Sequence, residues 1–494
     1  MLVSKQFTNI MNSEIRNLEP KLLWNKFADL NAVPRPSKKE ERVIAFMKAF
    51  GENLGLETLV DEVGNVIIRK PSTKGMEDRK PIVMQSHLDM VHQKNANTIF
   101  DFDKQGIEMY VDGDWVKAKG TTLGADNGLG VATIMAILES NTIAHPAIEA
   151  LFTIDEETGM TGAKGLKGGI LKGEILLNLD TEEDNEIGVG CAGGVDIIAT
   201  RAYKEEAVLD NYDAYKIEVK GLNGGHSGMD IHKGLGNANK IMNRLLYSVI
   251  NIIKISDIDG GSLRNAIPRE SVATVVFDNS KKEEFVATIS LEIEHIKKEL
   301  ITMEPNLDIK YYSVDAPDEM LGKELSKNLI KCIYAAHNGV YRMSSEIPDL
   351  VETSNNVARV LVKDGHINIG SLTRSSVETS KTDLANKLRS TFELIDCNVE
   401  LSGNYPGWTP NMDASILKVM RELYTQLNNE EPHVAACHAG LECGILGKNY
   451  PNMEMISFGP NIRGAHSPDE RAQISSVQKY WKFVLEILKE IPKR

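Results

Sequence analysis

Apolar residues follow two different spacings along the first ~195 residues. Residues 21–30 and 40–54 repeat them every three to four positions, the period of an amphipathic helix. Residues 82–85, 150–154 and 175–179 are short unbroken apolar runs, which fit strands buried on both faces. Between the first two runs, Leu129, Ala132, Ile134, Met135 and Leu138 recur at helical spacing among small residues, predicting a helix buried against a sheet over 128–138. Alternating helices and strands predict an α/β domain with a mostly parallel central sheet flanked by helices.

The pattern changes after Gly193-Gly194. Strand-like segments at 212–219, 272–277 and 307–312 mix with helical ones at 235–250, 283–300 and 321–336. Short extended segments are expected at 365–372 and 389–394, on either side of a helix at 380–388. These elements describe a separate α+β domain over 195–404, closing near Gly403-Asn-Tyr-Pro-Gly407, with two similar halves. Residues 405–494 return to α/β character, with helices at 415–427 and 477–491 and a strand at 453–458. The middle domain is therefore expected as an insertion, with 1–194 and 405–494 forming one catalytic domain.

Polar residues stand where the apolar segments end. His87 and Asp89 follow the first strand, Glu156 and Glu157 the second, and Asp180 the third. In open α/β sheets, active sites lie beyond the carboxyl ends of the strands, so three such endings can converge on one crevice. Asp126 lies between Gly124 and Gly128, just before the buried helix, and His466 lies in a loop after the last strand. Two imidazoles and three carboxylates (His87, His466, Asp126, Glu157, Asp180) are a ligand set that borderline divalent metals such as zinc prefer. Glu156 is left to act as a base in metal-assisted hydrolysis.

Each piece alone has a plainer reading. An acid at a glycine-rich turn is commonly a helix cap, Asp155-Glu156-Glu157 could be a solvated loop, and a loop histidine is usually only that. Their joint occurrence, matched in type, context and order, is what argues for a site. A dinuclear site needs a carboxylate shared by both ions, and Asp126 is the best candidate. Asp89, two residues after His87, could orient the imidazole through its second nitrogen.

Composition narrows the setting. The chain has 494 residues, 42% of them hydrophobic, enough for more than one core. Its formal net charge of −14 disfavours nucleic acid and anionic membrane as partners. No apolar run approaches the ~20 residues that span a bilayer, and no secretory signal is expected. Five scattered cysteines read as free thiols in a reducing cytoplasm. A homodimer is as compatible with the sequence as a monomer.

Six stretches also carry a family likeness: Gln85-Ser-His-Leu-Asp-Met-Val91, Thr121-Thr-Leu-Gly-Ala-Asp-Asn-Gly128, Leu151-Phe-Thr-Ile-Asp-Glu-Glu-Thr-Gly159, Leu177-Asn-Leu-Asp-Thr-Glu182, Gly224-Gly-His-Ser-Gly228 and Gly464-Ala-His-Ser-Pro468. With them the chain resembles the co-catalytic zinc aminopeptidase/carboxypeptidase superfamily, and most closely its aminoacyl-histidine dipeptidases, also called cytosol non-specific dipeptidases. The resemblance implies two Zn²⁺ per chain, replaceable by Co²⁺ or Mn²⁺. It places His87 and Asp180 on one ion and Glu157 and His466 on the other, with Asp126 bridging and Asp126-Asn127 joined by a cis peptide. Glu156 becomes the general base and Asp89 the residue orienting His87.

The inserted domain resembles the family's lid at about twice the length found in shorter relatives. The likeness makes His226 the group that stabilises the scissile carbonyl oxygen, and Asn265 and Arg374 substrate-holding groups. A guanidinium suits the free carboxylate of a dipeptide. Glu442 is then a partner for the substrate's amino group. Asp at position 180 matches the aminopeptidase and dipeptidase members, where the carboxypeptidases and deacylases usually have Glu, and so favours a dipeptidase, which the resemblance makes one of broad specificity. Its substrates would include Xaa-His dipeptides such as beta-alanyl-histidine. The alternatives are a tripeptidase, an N-acyl amino acid hydrolase or a non-catalytic peptide-binding relative.

Overall fold

A computed structural model describes residues 12–494. The chain divides into two compact units. The first comprises residues up to Gly190, Pro410–Ala436 and Glu442–Arg494; the second comprises Cys191–Thr409 and Cys437–Leu441. These bounds differ by a few residues from those expected at 194/195 and 404/405. Gly193 and Gly194 already belong to a strand of the second unit, Gly193–Ala202, and Trp408 still bonds back to Cys191. The short Cys437–Leu441 segment joins the second unit because the Ala192 N–H donates to the Cys437 carbonyl (2.9 Å) and His438 Nε2 meets Ser354 Oγ (2.8 Å).

The first unit is built on an eight-stranded sheet. Its middle strands Ile148–Thr153, Ile82–His87, Ile175–Asn178 and Glu454–Ser457 run parallel to one another. The parallel character stops there. Val66–Lys70 and Glu57–Val60 extend one side antiparallel, and Glu186–Cys191 pairs antiparallel on the other, so the sheet is mixed. The strands expected at 82–85, 150–154 and 175–179 are the ones that became central. Each is wholly buried, as an unbroken apolar run requires.

Helix Ala125–Glu139 packs on strand Ile82–His87 and on helix Lys21–Asn31. Nine of its apolar side chains, from Ala125 to Leu138, are buried. Each buried Leu or Ile contributes about 1.5–3 kcal/mol relative to exposure. Gly130 sets the close approach: a Cβ there would lie 2.1 Å from Asn127 Oδ1 and 2.7 Å from the Leu179 carbonyl. A separate four-stranded sheet joins the hairpin Met109–Asp112 and Trp115–Ala118 to Arg471–Gln473 and Ile462–Arg463. The last two strands are the stem of the loop that carries His466.

The second unit contains a nine-stranded antiparallel sheet. Helices Ala238–Ser248, Lys323–Ala335 and Glu378–Glu393 pack on its strands. One apolar core, which includes Ile217, Val219, Leu245, Phe277, Phe285 and Leu384, runs through it. Residues 389–393, expected as extended, continue the preceding helix instead. Leu384, Leu388 and Phe392 recur every four positions and bury one continuous helical face. This unit is α+β, as the mixed pattern predicted.

Candidate active site

The first unit brings His87, Asp126, Glu157, Asp180 and His466 together. His87 ends its strand, and its Nε2 lies 3.2 Å from Asp126 Oδ1 and 3.5 Å from Asp180 Oδ1. His466 Nε2 lies 3.2 Å from Asp126 Oδ2 and 2.9 Å from Glu157 Oε2. Two ligand triads result, His87/Asp126/Asp180 and Asp126/Glu157/His466, each with donor atoms within 4.8 Å of one another. Asp126 belongs to both and offers one oxygen to each.

Local backbone explains how neighbouring acids can both face the cluster. Strand Ile148–Thr153 has ended before Glu156, and Glu156–Gly159 forms a single helical turn after Asp155, whose φ is +54°. Asp89 accepts from the Glu156 and Glu157 backbone N–H groups at 3.0 and 3.3 Å and from Ser37 Oγ at 2.8 Å. Its Oδ1 lies 3.4 Å from His87 Nδ1, while the Asp89 carbonyl lies closer to that nitrogen, at 3.1 Å. Asp89 therefore fixes the turn that carries Glu156 and Glu157 as well as facing the imidazole. The Asp126-Asn127 peptide is cis. Asn127 Nδ2 donates to the Leu179 carbonyl (2.9 Å) and to Asp180 Oδ1, tying two candidate ligands together.

The electrostatics favour a cation. Burial, followed by neighbouring charges, pushes the Glu156 carboxyl well above its ordinary range, and burial also raises Glu157 and Asp180. Hydrogen bonds to Asp126 and Glu157 draw the His466 imidazole up to about 11. Burial works against the charged form of His87, but Asp180, Asp126 and Asp89 outweigh it and its pKa is raised. Asp126 is held below the usual carboxylate range because hydrogen bonds from His466 and His87 overcome its burial. Glu157 Oε1 is buried without a hydrogen-bond partner. An excess of converging carboxylates, two imidazoles and an unsatisfied buried oxygen fit divalent metal ions.

Two residues missed in the sequence hold this cluster from behind. Glu470, fully buried, accepts the backbone N–H groups of Leu123, Gly124, Ala125 and Asp126 at 2.7–3.2 Å. Arg35, also fully buried, donates to the carbonyls of Leu88, Asp89 and Gly124. A Cβ at Gly124 would lie 2.5 Å from the Arg35 guanidinium, and its φ of +69° is one that glycine adopts without strain. Only the capping-type spacing Gly-x-x-x-Gly hinted at a special backbone here. Nothing in the sequence pointed to the two charges that fix it.

Glu442 has no solvent exposure. Its Oε2 accepts from Gln85 Nε2 and Thr153 Oγ1, both at 2.6 Å, while Oε1 is buried without a partner. Burial pushes this carboxyl up to about 8.

The second unit carries the other candidates. His226 lies in the short strand Gly225–His226, paired with Ala266–Ile267. Its Nδ1 accepts the N–H groups of Gly228 (3.2 Å) and Met229 (3.1 Å), which leaves the proton of the neutral ring on Nε2. Burial and then the Arg374 charge lower its pKa, so the neutral form dominates. Arg374 is 5% exposed, its Nη1 donates to Tyr405 Oη at 2.7 Å, and its Nε is buried without a partner. Among the described residues no carboxylate forms an ion pair with it. Asn265 is exposed, and Asn356 fixes its segment by donating to the Arg264 and Ala266 carbonyls.

A sheet with acids and histidines at its carboxyl ends, interrupted by an α+β insertion, describes a metallopeptidase-like architecture. The chain belongs to the peptidase family M20/M25/M40, whose profile matches residues 83–490, and is thus a hydrolase acting on peptide bonds. It is 43% identical over 482 residues to the cytosol non-specific dipeptidase of Escherichia coli (strain K12), which covers 97% of this chain and 99% of that protein. The crystal structure of aminoacylhistidine dipeptidase from Vibrio alginolyticus superposes with a TM-score of 0.93 at 41% identity, covering 97% of this chain and 98% of that one. The aminopeptidase PepT of Bacillus cereus shares the fold, with a TM-score of 0.57 at 16% identity over 96% of this chain and 99% of that one. The family likeness carried by the six sequence stretches is borne out.

Proposed function

We propose that the protein is a dinuclear zinc dipeptidase of broad specificity, acting in the cytoplasm on dipeptides with a free carboxylate, Xaa-His dipeptides among them. The observation that carries this reading is the pair of ligand triads sharing Asp126. It is supported by the near full-length likeness to relatives named as a dipeptidase and an aminoacylhistidine dipeptidase. His87 and Asp180 would hold one ion, Glu157 and His466 the other, and Asp126 both; Co²⁺ or Mn²⁺ could replace zinc in such a donor set. The ions would polarise the scissile carbonyl and make water acidic enough to attack at neutral pH.

The remaining work falls to side chains. Glu156 takes the proton of the attacking water and delivers it to the leaving amine. Its burial suits that duty, because a carboxyl whose pKa is raised above the ordinary range is a stronger base than a solvated carboxylate. His226 donates its Nε2 proton to the developing oxyanion. Arg374 takes the terminal carboxylate, with its unpaired Nε among the donors, and Asn265 holds the substrate backbone. Glu442 is assigned to the amino group through Oε1, whose enclosure means that this contact requires local rearrangement.

The test is substrate length and end group. Removing one partner from a buried charge pair costs about 3–5 kcal/mol. Amidated dipeptides should therefore be poor substrates, and Arg374→Ala should largely abolish the preference for a free carboxylate in kcat/KM. Tripeptides and N-acetyl amino acids complete the panel. Faster turnover of either class would replace the dipeptidase reading.

A further inference from the structure

Gly194 has Arg374 as its register partner on one neighbouring strand and Tyr405 on the other. A Cβ on Gly194 would lie 2.6–2.7 Å from Tyr405 Oη, Cε1 and Cζ, so the phenol ring lies directly across the bare glycine backbone. The ring thereby reaches over one strand and its hydroxyl meets Arg374 Nη1 at 2.7 Å. Any side chain at position 194 would occupy that path.

The tyrosine backbone is pinned as well. Lys381, itself buried, donates from Nζ to the Tyr405 carbonyl at 2.6 Å and to Glu378 Oε1 at 2.8 Å. The same Glu378 oxygen accepts the Gly407 N–H at 2.8 Å. A bulge between Ser402 and Tyr405 turns the strand at this point. Ring, carbonyl and following peptide are therefore each held by a different group.

We propose that Tyr405 is a positioning residue that aims Arg374 and adds its own hydroxyl proton as a second donor to the substrate's terminal carboxylate. This rests on the assignment of Arg374 to that carboxylate. The Oη accepts from the guanidinium, so its proton is free to point to an anion lying against the same guanidinium. Burial keeps the phenol in its protonated form. A guanidinium steered in this way offers a carboxylate a fixed direction as well as charge.

Tyr405→Phe keeps the ring over Gly194 and removes only the hydroxyl. Hydrogen bonds to charged groups correspond to roughly a 10- to 100-fold change. The variant should lose about that factor in kcat/KM for free dipeptides, mainly through KM, and leave amidated dipeptides within about twofold. In an Arg374→Ala background the second substitution should add little, because the two act on one contact. A free-to-amidated ratio that falls in Arg374→Ala but not in Tyr405→Phe would reduce Tyr405 to packing and overturn the inference alone. A ratio unchanged in Arg374→Ala would overturn the carboxylate assignment and this inference with it.

Discussion

Glu156 and Glu157 are adjacent, identical side chains, and their surroundings separate them. Glu157 Oε2 lies 2.9 Å from His466 Nε2, whereas among the described residues Glu156 forms no ion pair with an imidazole and only comes within 4.8 Å of His87, and burial is the leading cause of its raised pKa. Glu156→Gln should leave metal binding intact and lower turnover by about 10²–10⁴-fold. Glu157→Gln should instead weaken metal binding. Calorimetric metal titration beside steady-state kinetics distinguishes the two; exchanged phenotypes would reverse the assignment. At this scale the candidate ligands were legible because they are His, Asp and Glu at the ends of apolar runs. Glu470, Arg35 and Tyr405 were not. Their partners are backbone groups or a guanidinium far away in sequence, and a lone Glu or Tyr in a loop gives no sign of what it bonds.

Two loops meet through Glu470. It sits four residues beyond His466 and accepts four amides from the segment that carries Asp126. Two candidate ligands, Asp126 and His466, are thus linked by a carboxylate that accepts backbone amides. Glu470→Gln would set an amide NH₂ against N–H donors and leave buried groups unpaired, at about 1–3 kcal/mol each. Orienting partners of this kind typically matter 10–100-fold in metal affinity. The variant should show that loss in chelator competition, together with a lower Tm; unchanged affinity would make Glu470 a stabiliser of the fold only. Among elements, long periodic segments were legible and short ones were not. The strands of the small sheet, Ile462–Arg463 and Arg471–Gln473, are two and three residues long, too short for an alternation to register. Residues 389–393 continue the helix that ends at Glu393 because Phe392 extends the buried face of Leu384 and Leu388, whereas Leu394 just beyond it is exposed.

On the scale of the whole molecule, the order α/β, α+β, α/β was visible in the change of period after Gly193-Gly194 and its return near Gly403-Asn-Tyr-Pro-Gly407. The antiparallel margins of the first sheet were not, since pairing direction depends on contacts that no single segment encodes. Among the described residues no helix is long and apolar enough to cross a membrane. The cluster draws on both parts of the first unit: four candidate ligands come from before Gly190 and the fifth, His466, from after Pro410. The most direct measurement is to strip the protein with a chelator, titrate zinc back and follow bound metal and dipeptide hydrolysis together. The account predicts no turnover in the stripped protein, two tight equivalents at saturation with activity restored, and the same two equivalents without activity in Glu156→Gln. Undiminished hydrolysis by the metal-free protein, or saturation at one equivalent, would contradict it.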